Sequence, residues 1–174
     1  MTGTVKRRDL IKGGLAAGVA LAAPARAMAD PLGESFDKTF ASPSANSPYE
    51  RRLFDIARRE ISRAGKRLWR TDIAGIADFG RPSSLPRFHF VNMESGTVRS
   101  FLVAHGKGSD PEHDGWLKYF SNTPGSEATS RGAYLTAEWY TGKYGTSIRL
   151  VGMDGDKCNA LDRAIVMHPA WYVG

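Results

Sequence analysis

One stretch of helical period, residues 47–68, is followed only by short runs of strand character. That asymmetry confines the fold to a mainly β domain with a single helix at its N-terminal end. Ser47 can cap the helix, Pro48 suits its first turn, and Glu50 stands three residues after the cap as in a capping box. Leu53, Ile56, Ala57, Ile61, Ala64 and Leu68 then mark one face at spacings of three and four, and Arg51, Arg52, Arg58, Arg59 and Arg63 mark the other. Those arginines form either a solvated face or a surface for an acidic wall polymer or anionic lipid.

Residues 69–78 read as a short strand or an irregular segment. A hairpin follows. Phe88, Phe90 and Asn92 alternate with His89 and Val91, Glu94-Ser95-Gly96 makes the turn, and Val98 with Phe101, Leu102 and Val103 forms the return run. Residues 106–131 are rich in Gly, Ser, Asp, Pro and Asn and form a long loop of the kind that usually carries function. Three further strand-like runs cover residues 133–140, 147–151 and 164–168, with room for one helical turn between the last two.

Ahead of this domain lies a leader. Lys6-Arg7-Arg8-Asp9-Leu10-Ile11-Lys12 precedes a short, mildly apolar stretch that ends in Ala25-Arg26-Ala27 and Ala27-Met28-Ala29. A basic start, an apolar middle and small-x-small sites describe a secretory signal over residues 1–29, and the arginine pair points to twin-arginine export of a folded protein. Cleavage near Ala27 or Ala29 leaves residues 30–46 as a flexible tether and residues 47–174 as the domain, outside the cytoplasmic membrane. Pro24 and Arg26 interrupt the apolar run, so no stable membrane span is expected after cleavage. The net charge of +6 comes from 24 Lys and Arg against 18 Asp and Glu. The leader holds five of those bases and one acid, so the remainder has 19 against 17. A surplus of two does not make a nucleic-acid binder.

One cysteine, Cys158, excludes an internal disulfide framework and any multi-cysteine metal site. Asp154 and Asp156 oppose a thiolate there, so Cys158 reads as an incidental thiol. His168 leaves an apolar strand just before Pro169, a place for either a base at a cleft or a structural histidine. His105 ends a strand in the same way, and His89 lies mid-strand as a packing residue. Asp110, Glu112, His113 and Asp114 lack regular ligand spacing and read as a solvated loop. Neither a metal nor a cofactor is expected.

Five segments in order carry a resemblance: Phe101-Leu102-Val103-Ala104-His105-Gly106-Lys107-Gly108-Ser109, Phe120-Ser121-Asn122-Thr123-Pro124-Gly125-Ser126, Ser130-Arg131-Gly132-Ala133-Tyr134, Tyr140-Thr141-Gly142-Lys143-Tyr144-Gly145 and Arg163-Ala164-Ile165-Val166-Met167-His168. Together they resemble the murein L,D-transpeptidase catalytic domain family, a branch of the YkuD-like enzymes, over nearly the whole mature chain. The resemblance implies a β-sandwich in the cell envelope that acts on peptidoglycan stem peptides. In that chemistry a cysteine thiolate attacks an amide carbonyl and expels the terminal D-residue. An amine or water then releases the acyl group, with a histidine as base and backbone donors for the oxyanion.

Carried onto this chain, the resemblance makes His168 the catalytic histidine and His105, Ser130, Gly132 and Tyr134 substrate contacts. The family's residue after the histidine is usually glycine. Here it is Pro169, which removes a backbone N–H and fixes φ. The family's nucleophile follows in a Ser-x-Gly-Cys motif, and these 174 residues contain none. The expectation is therefore a product that lacks the last strand or strands and is inactive as a transpeptidase. A non-catalytic peptidoglycan-binding relative is the alternative.

Overall fold

The computed structural model describes residues 47–155 and 158–173; the expected leader and tether lie outside the described residues. Helix α1 spans Pro48–Ala64, opened by Ser47, whose Oγ accepts the Glu50 amide at 3.1 Å. The helix stops four residues earlier than its apolar face suggested. Gly65 turns to φ +54° while its N–H bonds back to the Ile61 carbonyl, and a 3-10 turn over Gly65–Arg67 leads out. Only glycine makes that conformation at little cost, so it ends the helix where apolar spacing alone would continue it.

Among the described residues six strands follow, in two antiparallel sheets. The first has order β1-β2-β3, from Ile73–Ala77, Phe88–Asn92 and Thr97–Phe101. The second has order β4-β5-β6, from Tyr134–Gly142, Gly145–Gly152 and Val166–Met167. The mainly β expectation with one N-terminal helix holds, and residues 69–78 do contain a strand. The final run is shorter than its sequence pattern: Ala164, at φ +54°, closes a turn onto the Leu161 carbonyl, so pairing starts only at Val166.

The register of the first sheet explains its packing. Ala74, Val91 and Val98 lie side by side across the three strands, and α1 lays Leu53 and Ala57 on them. The inward row of β2 is His89 and Val91, continued by Arg87 just before the strand, all fully or almost fully buried, while Phe90 on the other side is 39% exposed. The polar inward residues are satisfied by long-range partners. Tyr49 of α1 donates to Asp78 at 2.8 Å, so its oxygen accepts from His89 Nε2 at 2.9 Å, and His89 Nδ1 in turn faces Ser100 Oγ at 2.8 Å. The aromatic row, Phe88, Phe90 and Phe101, stacks edge to face on the opposite side.

Candidate functional site

The long loop returns to the sheet through Ser130 and enters β4 at Tyr134, and a half-buried arginine organises this passage. Arg163 donates from Nη1 to the Ser121 carbonyl at 2.6 Å and to Ser130 Oγ at 3.1 Å. From Nη2 it reaches Ser126 Oγ at 2.9 Å and the Ala128 carbonyl at 2.8 Å. Ser130 Oγ in turn donates a hydrogen bond to Asn122 Oδ1 at 2.8 Å, an oxygen that also accepts the Asn159 amide. Tyr134 donates its hydroxyl proton to the Ser130 carbonyl at 2.6 Å. Burial pushes the Tyr134 phenol above its ordinary value, and the neighbouring Cys158 sulfur adds to the effect.

Three of the expected substrate contacts thus come together: Ser130 and Tyr134 by direct hydrogen bonding, and exposed Gly132 on the chain between them. Gly132 has φ +141°, and a Cβ placed on it would stand 2.7 Å from Asp154 Oδ2. Asp154 also accepts the Ala133 amide at 3.2 Å and pairs with Arg63 of α1 at 2.6 Å. The Arg63 guanidinium, ahead of the Ala133 amide, holds its carboxyl below the usual carboxylate range.

His105 occupies a second, separate network. Arg87 is fully buried and donates to the Val103 carbonyl at 3.0 Å, the Arg81 carbonyl at 2.8 Å and His105 Nδ1 at 2.7 Å. A guanidinium has no lone pair to offer, so Nδ1 is the acceptor and the His105 proton sits on Nε2, facing Asp110 Oδ2 at 3.3 Å. Burial, followed by the Arg87 charge, lowers the pKa of His105 against the pull of Asp110. Burial opposes the ionisation of Asp110, but the amides of Gly115 and Asp114 together with His105 outweigh it and leave the carboxyl below its ordinary value. The two networks touch through the backbone. Gly106 donates its amide to Thr129 Oγ1 at 2.8 Å, and Ser109 Oγ accepts the Thr129 amide at 2.9 Å.

His168 stands apart from both, at the hairpin end of the second sheet. Its ring stacks on Tyr144 with centroids 4.5 Å apart and planes 17° from parallel. Nδ1 donates to the Pro169 carbonyl at 2.9 Å, which leaves the lone pair on Nε2, the arrangement a general base requires.

Cys158 lies at the other end of that sheet. It is 5% exposed, and a Cβ placed at Gly152 would lie 2.5 Å from its sulfur. The register puts Met167 beside Ile148, so His168 falls beside Ser147, at the opposite end of β5 from Gly152. At about 3.4 Å per residue, the two positions are roughly 17 Å apart along the strand.

The acids of the long loop are turned to protein donors: Asp110 as above, and Asp114 to the Trp116 amide and Lys118. Among the described residues no group of three or more His, Cys, Asp or Glu is arranged to hold a metal ion. Arg87 and Arg163, which organise the two networks, went unassigned in the sequence. The available signal was an arginine in phase with the buried row of a strand, or directly ahead of an apolar run.

A family model described as an L,D-transpeptidase catalytic domain matches residues 46–174, a span that encloses both networks and His168. Searches of curated proteins and of solved structures gave no match.

Proposed function

Since the chain belongs to the L,D-transpeptidase catalytic domain family, we propose that it is exported by the twin-arginine route and works on peptidoglycan stem peptides outside the cytoplasmic membrane. The family match carries this reading. It is supported by the basic and apolar leader with its small-x-small sites. Among the described residues, no helix is long and apolar enough to cross a membrane.

The chemistry is acyl transfer through a thioester. A thiolate adds to the carbonyl carbon of the L,D-amide, and the oxyanion collapses as the terminal D-residue leaves with a proton on its nitrogen. A stem-peptide amine or water then takes the acyl group and restores the thiol. His168 is the base, taking up a proton at Nε2 while Nδ1 stays bonded to the Pro169 carbonyl. Residues 130–134 line the stem peptide at the Gly152 end of β5, roughly 17 Å along the strand from His168, so the peptide lies extended between them. Gly132 gives close backbone approach, and Ser130 and Tyr134 fix the path of the chain. His105 supports the same surface through the Gly106–Thr129 contact.

Cys158 is not the nucleophile in this reading, because it is buried at the end of β5 opposite His168. These 174 residues by themselves are therefore expected to bind stem peptide without turning it over. The test incubates the chain with a disaccharide tetrapeptide, following release of the terminal D-residue by mass spectrometry and backbone amide shifts by NMR. The expected result is shifts at Gly132, Tyr134 and His168 with no release. Release abolished by Cys158→Ala would overturn the assignment of Cys158, and absence of any shift would overturn the assignment of the binding surface.

A further inference from the structure

The charge of the domain is unevenly placed. Residues 50–70 hold eight Lys and Arg against three Asp and Glu, a net of +5, whereas residues 71–174 hold ten against eleven, a net of −1. One of the three acids in the first segment, Glu50, is buried and adds nothing to the surface. The positive field of the domain is therefore that of α1 and its exit.

The helix organises this charge. At 100° per residue, Arg52, Arg59 and Arg63 fall in one stripe, away from the side that carries Leu53 and Ala57 into the core, and the 3-10 exit over Gly65–Arg67 adds Lys66 beyond its end. Arg52, Arg59 and Lys66 are exposed. Asp55 stands beside Arg58 at 3.2 Å, Glu60 beside Arg59 at 3.0 Å and Arg63 at 2.7 Å, Asp154 beside Arg63 at 2.6 Å, and Asp72 beside Arg70 at 2.5 Å. In the exit beyond the helix stands Trp69, 85% exposed, with the Arg70 guanidinium 5.8 Å from its ring centroid.

We propose that the helix face of Arg52 and Arg59, together with Lys66 and the exposed Trp69 of the exit that follows it, docks the domain on an anionic lipid bilayer. Two features favour a bilayer over a polymer chain: the cations run along a 17-residue helix, about 25 Å, and an exposed indole, Trp69, follows them in the helix exit. A planar headgroup layer meets all the cations at once and takes the indole at its interfacial depth. A single polymer strand is better held in a groove.

The test uses the full chain with vesicles of phosphatidylcholine alone or with 30 mole per cent phosphatidylglycerol. In the reporter form, Trp116, Trp139 and Trp171 are replaced by Phe, so Trp69 is the sole tryptophan. The leader has none, so its own membrane affinity does not move the signal.

The expected result is a blue shift of Trp69 emission, and quenching by brominated lipid, with the anionic vesicles only and lost in high salt. Each basic side chain near such a surface strengthens binding about fivefold, so Arg52→Gln, Arg59→Gln and Lys66→Gln combined should raise the apparent Kd about a hundredfold. Unchanged Trp69 emission in sedimented protein would mean that the leader alone binds, and would overturn the proposal. Equal binding to phosphatidylcholine would do the same. So would an emission shift produced by an acidic polysaccharide, polygalacturonate, but not by vesicles.

Discussion

Arg87 donates from Nη2 to His105 Nδ1 at 2.7 Å, and that single contact fixes which nitrogen of the imidazole holds its proton. Protonating Nδ1 would set a donor against a donor inside a site where Arg87 is fully buried. Burial depresses His105, with the Arg87 charge second, and burial depresses His89, with the Arg81 charge second. Both therefore bind protons more readily in the unfolded chain, at about pH 6.5, than in the folded one. Stability is full above that value and falls as the pH drops through it toward the lower folded values. Thermal unfolding between pH 8 and 5 should show Tm constant at the upper end and falling below about 6.5. His105→Gln should flatten part of that fall, and an unaltered slope would remove His105 from the account.

Arg163 makes four hydrogen bonds to the long loop and its return, and alanine would leave all four acceptors to find other donors. Arg163→Ala should cost about 2–4 kcal/mol in urea denaturation, less than the bonds summed singly because they act as one unit. Arg163→Lys should recover only part of it, since an ammonium cannot span two carbonyls and two hydroxyls as a planar fork does. Limited proteolysis should then cut within residues 121–130, where the parent chain resists.

Two glycines test how closely backbone meets backbone. A Cβ at Gly108 would lie 2.0 Å from the Ser126 carbonyl oxygen, and at Gly125, with φ +77°, it would meet nothing within 4 Å. Gly108→Ala should destabilise by about 3 kcal/mol or more, because backbone must move to admit the methyl. Gly125→Ala carries only the left-handed conformational cost, about 1 kcal/mol. Similar Tm losses for the two would contradict the packing of the 106–109 turn on residues 126–128.

Cys158 is 5% exposed, and only opening of its surroundings should let a reagent in. Iodoacetamide should modify it about a hundredfold more slowly in buffer than in urea, the factor for a local opening of about 3 kcal/mol. Gly152→Ala, which would put a Cβ 2.5 Å from its sulfur, should raise the native rate.

The sequence was most legible where structure is local. Ser47, Pro48 and Glu50 announced the helix start, and Glu94-Ser95-Gly96 announced the turn between β2 and β3. Strand alternation gave the right period around Phe88 but could not say which row is buried. His89 was legible as a packing residue, but its row also holds Arg87, and the two are sustained by Arg81, Val103, Tyr49 and Ser100. Such partners lie up to 40 residues away, and no local pattern contains them. The same holds for the site. Ser130, Gly132 and Tyr134 are neighbours because they are close in sequence, but their meeting with Arg163 and Asp154 is a product of the fold.

The two arginine networks hold the long loop at different places and by different chemistry. The contacts of Arg163 are carbonyls and hydroxyls, none of which changes charge in water that a folded protein survives. Those of Arg87 include a histidine, backed by an aspartate that also ties down the Asp114 and Gly115 amides. Mild acid thus acts on the loop as on a strap with one buckle that can be undone. The segment from Gly106 to Gly115 loosens first, while Ser121 to Ser130 stays fastened against β4.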